Sequence, residues 1–318
     1  MIMNVLLFAV GFVCLIFGGD WFVDGASSFA KSRHMSPLLI GATIVSIGTT
    51  LPEVMVSSQA ALKGSAGISY GNAIGSIICN TALISAITIT ANPSAISRKT
   101  LIMPVSFFFV SAAIYCFTAY TTGFFSRILG LIFLVIFACY MYTLITRGNS
   151  NDGDLGDEIK DMPLWKQWMY MVAGAGFIAI GANLLVDNGT AIASAVGIPD
   201  SVIGLTIVAL GTSLPELITA INSLRKGVSS MSLGNVIGAN LFNLILVSGM
   251  AMTISPFHIP TEKVLFGTNA SLVLDIPVML TVMLIMTVPT LLKERVERWQ
   301  GILLLIIYFS FLAFQFLF

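Results

Sequence analysis

The chain has 318 residues, of which 57% are hydrophobic and only 9% are charged. This composition excludes a water-soluble globular protein, because a soluble domain carries about 25% charged residues on the surface that faces water. Fifteen basic and fifteen acidic residues give a formal net charge of zero, which argues against a nucleic-acid partner. The composition indicates an all-α integral membrane protein with little chain outside the bilayer.

Ten stretches of the chain are predicted to cross the membrane as helices, since a crossing takes about 20 consecutive apolar residues. We number them segments 1 to 10 in chain order. They span residues 3–29, 36–61, 70–92, 101–120, 125–146, 166–189, 200–223, 233–254, 271–291 and 300–318. Segment 1 is too long for a cleaved signal peptide and lacks a basic stretch before it, so we expect it to belong to the mature fold.

Lys and Arg residues are distributed unevenly over the two sides of the membrane. The connections after segments 1, 3, 5, 7 and 9 hold twelve of the fifteen, and the other connections hold only Lys63, Arg127 and Lys263. Cytoplasmic connections are enriched in Lys and Arg. We therefore expect both termini on the extracytoplasmic side of a prokaryotic cell membrane.

The longest connection, residues 148–165, carries five acidic residues and separates two halves, 1–147 and 166–318. Its carboxylates do not follow the spacing of a calcium-binding loop. We expect a solvated cytoplasmic linker rather than a regulatory ion site. The four cysteines lie in apolar stretches and the two histidines lie far apart, so neither a disulfide framework nor a zinc site is indicated.

The two halves are related by an internal repeat at an offset of 163 residues. Residues 41–53 (GATIVSIGTTLPE) recur as residues 204–216 (GLTIVALGTSLPE), with nine of thirteen positions identical. At the same offset, residues 71–80 match residues 234–243 at five of ten positions. Each half then holds five crossings, an odd number, so the second half enters the membrane from the opposite side. Inverted repeats of this kind are typical of secondary transporters.

Each copy of the first motif places a carboxylate deep inside a crossing, at Glu53 and Glu216. A charged acid at the bilayer centre costs roughly 2.5–3.5 kcal/mol, so such residues usually have a function. The preceding prolines, Pro52 and Pro215, lack an N–H and free backbone carbonyls one turn earlier. Hydroxyl oxygens stand beside them at Thr49, Thr50, Thr212 and Ser213. Carboxylates, carbonyls and hydroxyls are ligands of hard cations, which favours a Ca²⁺ or Na⁺ site.

The second motif adds a polar stripe to segment 3 and another to segment 8. Asn72, Ser76 and Asn80 are four residues apart and share one face of a helix. The counterpart positions, with one further amide, are Asn235, Ala239, Asn240 and Asn243. A polar stripe in an apolar helix can also hold neighbouring helices together by hydrogen bonds. Its recurrence at the repeat offset favours a role in lining the site.

The paired G-T-[ST]-L-P-E and G-N-x-[IL]-G-[SA]-x-x-x-N motifs resemble the α-repeats of the Ca²⁺/cation antiporter superfamily. Their proline-containing form resembles the sodium/calcium exchanger branch, and the resemblance covers nearly the whole chain. It implies a cluster of cation sites between segments 2, 3, 7 and 8. It also implies that segments 1 and 6 slide across this core during alternating access.

The resemblance assigns a role to each matching position. It implies a Ca²⁺ site built from two carboxylates and two backbone carbonyls, with two amides between the ion sites. The carboxylates are those of Glu53 and Glu216, and the backbone carbonyls are those of Thr49 and Thr212. The two amides are those of Asn80 and Asn243. The implied Na⁺ ligands are Thr50, Ser76 and the Ser46 carbonyl on one flank, and Ser213 and the Ala209 carbonyl on the other.

Two positions depart from the family pattern. Several relatives carry Asp where this chain has Asn243, and Ser where it has Ala239. The missing third carboxylate argues against K⁺ co-transport. The missing hydroxyl removes one ligand from a flanking Na⁺ site, which leaves the Na⁺:Ca²⁺ stoichiometry open.

Three functions are compatible with these residues. The leading hypothesis is an antiporter that uses the inward Na⁺ gradient to expel Ca²⁺. A Ca²⁺/H⁺ antiporter is the nearest alternative, because two facing carboxylates also carry protons, although the neighbouring hydroxyls and prolines favour Na⁺. A passive cation channel is a more distant alternative. The expected partners are Ca²⁺, Na⁺ and the lipid bilayer; we expect no obligate protein partner, no cofactor and no enzymatic activity, since neither a catalytic pair nor a phosphate-binding loop is found.

Overall fold

The computed structural model describes residues 2–32, 46–96, 98–147, 161–225, 229–265 and 267–317. Within these ranges, eight helices are long and apolar enough to cross a membrane. Their apolar spans are Ile2–Phe22, Ala66–Ala91, Leu101–Thr121, Arg127–Thr146, Leu164–Ile192, Val236–Ile254, Ser271–Lys293 and Arg298–Leu317. The chain is therefore an all-α, multi-pass membrane protein, as its composition predicts.

Five of the predicted segments form single α-helices. Segments 1, 4, 5, 6 and 10 span Ile2–Ser32, Arg98–Thr121, Arg127–Arg147, Leu164–Val196 and Arg298–Leu317. Segment 9 begins with a π-helical turn, Ser271–Asp275, and continues as the α-helix Ile276–Lys293. The observed ends lie within about two helical turns of the predicted ones, because polar residues and turns end each apolar stretch.

Segments 2 and 7 are not among the eight long spans, so the predicted count of ten crossings is not confirmed. The described part of segment 2 is the helix Ser46–Leu62, and residues 36–45 of that prediction lie outside the described residues. Segment 7 consists of several short helical pieces, and the helix is broken at Ser213. Its pieces are Asp200–Ile203, the π turn Gly204–Val208, Ala209–Thr212 and Leu214–Arg225. The break lies two residues before Pro215, which cannot continue a helical hydrogen-bond ladder.

Segments 3 and 8 share an irregularity at matching positions. In both, an α-helix passes into a π-helical turn that begins at the last Asn of the second motif, Asn80 or Asn243. The pieces of segment 3 are Ala66–Cys79, Asn80–Ser85 and Ala86–Ala91, and those of segment 8 are Ser229–Phe242, Asn243–Val247 and Ser248–Ile254. Single π turns inside α-helices occur frequently at functional sites.

Segment 3 lies at the centre of the protein and packs backbone to backbone on segment 7. Of its apolar span, 83% is buried, against 22% for segment 5. A Cβ atom on Gly71 would lie 2.6 Å from the Leu205 nitrogen, and one on Gly75 would lie 2.5 Å from the Leu205 oxygen. Only glycine allows so close an approach of two backbones.

Segments 1 and 6 form an antiparallel pair held together by glycines. A Cβ atom on Gly18 would lie 2.8 Å from the Gly174 oxygen, and one on Gly181 would lie 2.7 Å from the Gly11 oxygen. Many large apolar side chains of segment 1, including Ile2, are exposed on its other side, as expected for a helix that faces lipid.

Short antiparallel strand pairs lie in the connections between the helices. Phe124–Phe125 pairs antiparallel with Phe257–His258 and joins the connections after segments 4 and 8. Val264–Leu265 and Thr268–Asn269 form a second antiparallel pair within the connection after segment 8. Each strand has only two residues, so the helical class of the fold is unchanged.

Candidate cation-binding site

Two glutamates meet in the buried core of the protein. Glu53 is 0% exposed and Glu216 is 1% exposed. Each directly follows the proline of its motif, on the helix Ser46–Leu62 or at the start of Leu214–Arg225. Their carboxylates are close enough to repel each other. The structure thus brings together the two acids that the repeat singles out.

Most of the carboxylate oxygens have no hydrogen-bond partner in the described part of the chain. Ser213 Oγ donates to Glu53 Oε1 at 3.4 Å, but Glu53 Oε2 and both oxygens of Glu216 are buried without a partner. The Thr49 side chain lies beside Glu216. Buried charges are costly unless they are paired or coordinate a cation, so this arrangement favours a bound cation.

Amide and hydroxyl groups of segments 3 and 8 add further unpartnered oxygens. Ser76, Asn80 and Asn243 are each 0% exposed. Among the described residues, neither the Ser76 hydroxyl nor the two amide groups have a hydrogen-bond partner. The π turn that begins at Asn243 packs against segments 2 and 3, which places its amide beside the motif helices of the first half.

The Asn72 side chain bonds to other protein groups, whereas its spacing predicts that it lines the cation site. Its Nδ2 donates to the Glu53 carbonyl at 3.1 Å and to Ser57 Oγ at 2.9 Å. Its Oδ1 accepts a hydrogen bond from Thr212 Oγ1 at 3.0 Å. The amide is therefore occupied by protein groups and joins segments 2, 3 and 7. The side chain of its counterpart, Asn235, lies outside the described residues.

The remaining predicted ligands of the first motif are also buried. Thr49 is 4% exposed, and Thr50, Thr212 and Ser213 are 0% exposed. Thr212 donates its hydroxyl to Asn72 and, at 3.3 Å, to the Ala209 carbonyl. Its hydroxyl is thereby engaged, which leaves its backbone carbonyl as the group predicted to face the cation. Ser46 begins the described part of segment 2, and its side chain lies outside the described atoms.

A polar contact that the sequence analysis missed lies between segments 3, 8 and 9. Asn240 Nδ2 donates to Thr81 Oγ1 at 2.7 Å and to Met283 Sδ at 3.2 Å. Asn240 Oδ1 is buried without a partner in the described residues. The repeat could not indicate Thr81, because its counterpart in the second half is Leu244.

A third buried acid lies apart from the two glutamates. Asp275 is 2% exposed and accepts a hydrogen bond from Gln315 Nε2 at 2.6 Å. Lys263 donates to Gln315 Oε1 at 3.1 Å and to the Phe314 carbonyl at 3.0 Å. Burial lowers the pKa of Lys263, and the charge of Asp275 opposes this shift. These contacts fasten the connection after segment 8 to the end of segment 10.

The fold and the site together define a class of protein. Two buried carboxylates among unpartnered amide and hydroxyl groups, inside a multi-pass membrane protein, form a site suited to hard cations. Within the described residues, no group of three or more His, Cys, Asp or Glu residues forms a further metal site. The arrangement is suited to the binding of cations within the transmembrane core.

Comparison with known proteins identifies the family. The family model for the sodium/calcium exchanger protein matches residues 3–146 and 166–317. The chain is 32% identical to an uncharacterized membrane protein of Methanocaldococcus jannaschii, with 98% of each chain covered. It is 29% identical to the sodium/calcium exchanger MaX1 of Methanosarcina acetivorans, again over 98% of each chain. The chain belongs to the sodium/calcium exchanger family.

A solved structure shares the fold. The sodium-calcium exchanger NCX_Mj, soaked with Na⁺ and Sr²⁺, matches this structure with a TM-score of 0.65 and 31% sequence identity over 98% of each chain. The predicted resemblance to this family is thereby confirmed.

Proposed function

We propose that the protein is a secondary antiporter that exchanges Na⁺ for Ca²⁺ at the Glu53–Glu216 site. The observation that carries the proposal is the pair of buried carboxylates, three of whose four oxygens lack a hydrogen-bond partner in the described residues. One Ca²⁺ ion, or several Na⁺ ions, neutralises both charges. Because Ca²⁺ and Na⁺ exclude each other at one site, the transport of one ion is coupled to the transport of the other. The inward Na⁺ gradient then drives Ca²⁺ out of the cell.

The proposed ligands are the carboxylates together with the oxygen-bearing groups that the family resemblance implies. Ca²⁺ is bound by the carboxylates of Glu53 and Glu216 with the backbone carbonyls of Thr49 and Thr212. Na⁺ ions bind beside it, with ligands drawn from Thr50, Ser76, Ser213 and the carbonyls of Ser46 and Ala209. Asn80 and Asn243 lie between the ion positions. Oxygen ligands of these kinds suit both cations.

We propose ten crossings arranged as two inverted repeats of five, over residues 1–147 and 166–318 and joined by an acidic linker at 148–165. Two observations support this arrangement. Segments 1 and 6 are repeat counterparts and pack antiparallel, and π turns begin at the counterpart residues Asn80 and Asn243. Both termini are then extracytoplasmic and the linker is cytoplasmic, in the cell membrane.

Ca²⁺/H⁺ exchange is the second candidate, and the same two carboxylates support it. Two carboxylates that repel each other in a low dielectric readily bind protons in place of metal ions. The buried hydroxyls of Thr50 and Ser213 favour Na⁺, since a proton bound to a carboxylate needs no such extra oxygen ligands.

Transport by purified protein in lipid vesicles tests the proposal. Ca²⁺ uptake is measured into vesicles loaded with Na⁺, with K⁺, or with an acidic buffer. We expect uptake that requires internal Na⁺ and is lost in Glu216→Gln, while Glu297→Gln in the connection after segment 9 retains it. Uptake driven by the acidic interior alone would establish Ca²⁺/H⁺ exchange instead. Uptake without any counter-ion gradient would indicate a passive channel.

A further inference from the structure

Segment 1 lies along the part of segment 7 that leads to the cation site. Near its start, Phe8 meets segments 6 and 7, since a Cβ atom on Gly189 would lie 3.1 Å from Phe8 Cε2 and 3.8 Å from Ile203 Cγ2. Further along, a Cβ atom on Gly19 would lie 4.0 Å from Pro215 Cγ. The two segments therefore run in the same direction, with segment 1 beside segment 7 from Ile203 to Pro215.

Between these two contacts, the Phe12 ring lies on the backbone of Gly211. A Cβ atom on Gly211 would overlap the ring atoms of Phe12, so the ring occupies space that any other residue would fill at this position. Phe8 packs edge-to-face against Phe12, with the ring centroids 4.9 Å apart, and such a pair stabilises the ring in place. The absence of a side chain at Gly211 is what allows an aromatic ring of segment 1 to reach the segment 7 backbone.

Gly211 lies directly beside proposed cation ligands. It precedes Thr212, whose carbonyl is a proposed Ca²⁺ ligand, and the helix is broken one residue later, at Ser213. In the proposed orientation segment 7 enters from the extracytoplasmic side, so Gly211 lies on that side of Glu216. Thr212 and Ser213 are 0% exposed and Glu216 is 1% exposed. The site is therefore closed in this structure, and an ion from outside reaches it only when the groups next to it move.

The internal repeat does not reproduce this ring in the other half. Gly211 corresponds to Gly48, but Phe12 corresponds to Ala175. At this pair of positions, an aromatic ring is present in one half alone. An apolar group at a constriction excludes water and so stops a hydrated cation. A ring at Phe12 therefore affects access to the site from one side of the membrane and not from the other.

We infer that Phe12 closes the extracytoplasmic side of the cation site and must leave Gly211 before an ion can pass there. This inference rests on the proposed exchange and on the proposed orientation of the chain. Phe12 binds no ion itself. It controls the access of ions to the Thr212 carbonyl and the two carboxylates.

Labelling of a cysteine at the site from each side of the membrane tests the inference. The four native cysteines are replaced by alanine, and Ser213→Cys supplies the reporter. A membrane-impermeant maleimide is applied to intact cells for the extracytoplasmic side and to inverted membrane vesicles for the cytoplasmic side. We expect Phe12→Ala to raise the extracytoplasmic labelling rate about tenfold or more, because loss of even half of a buried Phe contact shifts an open–closed equilibrium by about that factor. The cytoplasmic rate should stay the same or fall.

Two further variants control for side-chain size and for the fold. Phe17→Ala is the matched control, because Phe17 lies on the same helix and is 53% exposed, and we expect it to leave both rates unchanged. Phe12→Leu retains an apolar side chain without the ring, and we expect an intermediate extracytoplasmic rate. The inference would be overturned by no rise in either Phe12 variant, by an equal rise from both sides in both of them, or by a rise confined to the cytoplasmic side.

The glycine provides a second test of the same contact. The new Cβ of Gly211→Ala displaces the Phe12 ring, so we expect the extracytoplasmic rate to rise as it does in Phe12→Ala. The two substitutions together should have no more effect than one, because both remove a single contact. Effects that multiply would show that this contact does not close the site. These rates do not depend on which ion drives transport, so a failure of the proposed Na⁺/Ca²⁺ exchange would appear in the uptake assay while the labelling result stands.

Discussion

Thr212 donates its hydroxyl hydrogen to Asn72 Oδ1 at 3.0 Å, in a buried hydrogen bond between the two halves of the chain. The same Asn72 side chain donates to the Glu53 carbonyl at 3.1 Å. Asn72 thus connects the backbone of one proposed carboxylate ligand with the residue that supplies a proposed carbonyl ligand. We expect this contact to set the spacing between groups that bind the cation.

Asn72→Ala should therefore impair both stability and Ca²⁺ binding. The substitution deprives three buried groups of a partner, and each such loss costs roughly 1–3 kcal/mol. We expect a lower unfolding temperature and a loss of apparent Ca²⁺ affinity of about tenfold or more. Thermal unfolding in detergent and the Ca²⁺ dependence of uptake provide the two measurements.

A double-mutant cycle separates positioning from simple loss of packing. Thr212→Val removes the hydroxyl and preserves the shape of the side chain, so it breaks the bond to Asn72 with little change in volume. Residues in direct contact show interaction energies of about 0.5–3 kcal/mol in such cycles. We expect the effects of Asn72→Ala and Thr212→Val on Ca²⁺ affinity to be strongly non-additive. Additive effects would show that the bond does not position the site.

Glu53→Gln should stabilise the protein in the absence of cations while it abolishes stabilisation by Ca²⁺. The substitution removes one of two buried, mutually repelling charges, and an unpaired buried charge is costly. Ligand binding to the native protein normally contributes about 2.7 kcal/mol when Ca²⁺ is present at 100 times its Kd. The unfolding temperature is measured with and without Ca²⁺.

Glu297→Gln is the control for that experiment, because Glu297 pairs with Lys293 at 2.8 Å in an exposed connection. We expect this control to retain the full Ca²⁺-dependent increase in unfolding temperature. A comparable increase in Glu53→Gln would mean that Ca²⁺ binds elsewhere.

Gly75→Ala should disrupt the contact between segments 3 and 7. The added Cβ would lie 2.5 Å from the Leu205 oxygen, so one of two backbones must move. Overpacking of a buried contact costs typically about 1–3 kcal/mol, and we expect transport to be lost. Gly176→Ala is the matched control, since nothing lies within 4 Å of its Cβ position. Equal effects of both substitutions in unfolding and uptake assays would contradict this packing argument.

Pro52→Ala should lower transport and raise stability. Alanine restores an N–H in the helix Ser46–Leu62, and this donor can bond the Gly48 carbonyl that proline leaves free. We expect weaker binding of the transported cations, measured as higher half-saturating concentrations in uptake assays. Pro104→Ala, inside the helix of segment 4, provides a comparison in which a proline is removed away from the site. Loss of transport in Pro104→Ala alone would argue against a special role for the segment 2 proline.

The sequence alone predicts the membrane class, the family and the two central acids. Apolar length is a local property, and the motif around Glu53 recurs around Glu216 without any gap. The observed helices and the buried pair of glutamates agree with these predictions. The sequence does not predict the break in segment 7. Its apolar length predicts a single helix, whereas the helix is interrupted at Ser213, before Pro215.

Only the tertiary structure distinguishes residues that share one helix face. The spacing of Asn72, Ser76 and Asn80 gives all three the same predicted role. Yet the Asn72 amide is bonded to groups 15 and 140 residues away in the chain, while Ser76 and Asn80 have no partner among the described residues. Helical periodicity determines which way a side chain points, but its hydrogen-bond partners depend on how distant segments pack. That packing engages the Asn72 amide in joining three segments and leaves the Ser76 hydroxyl available within the described part of the chain.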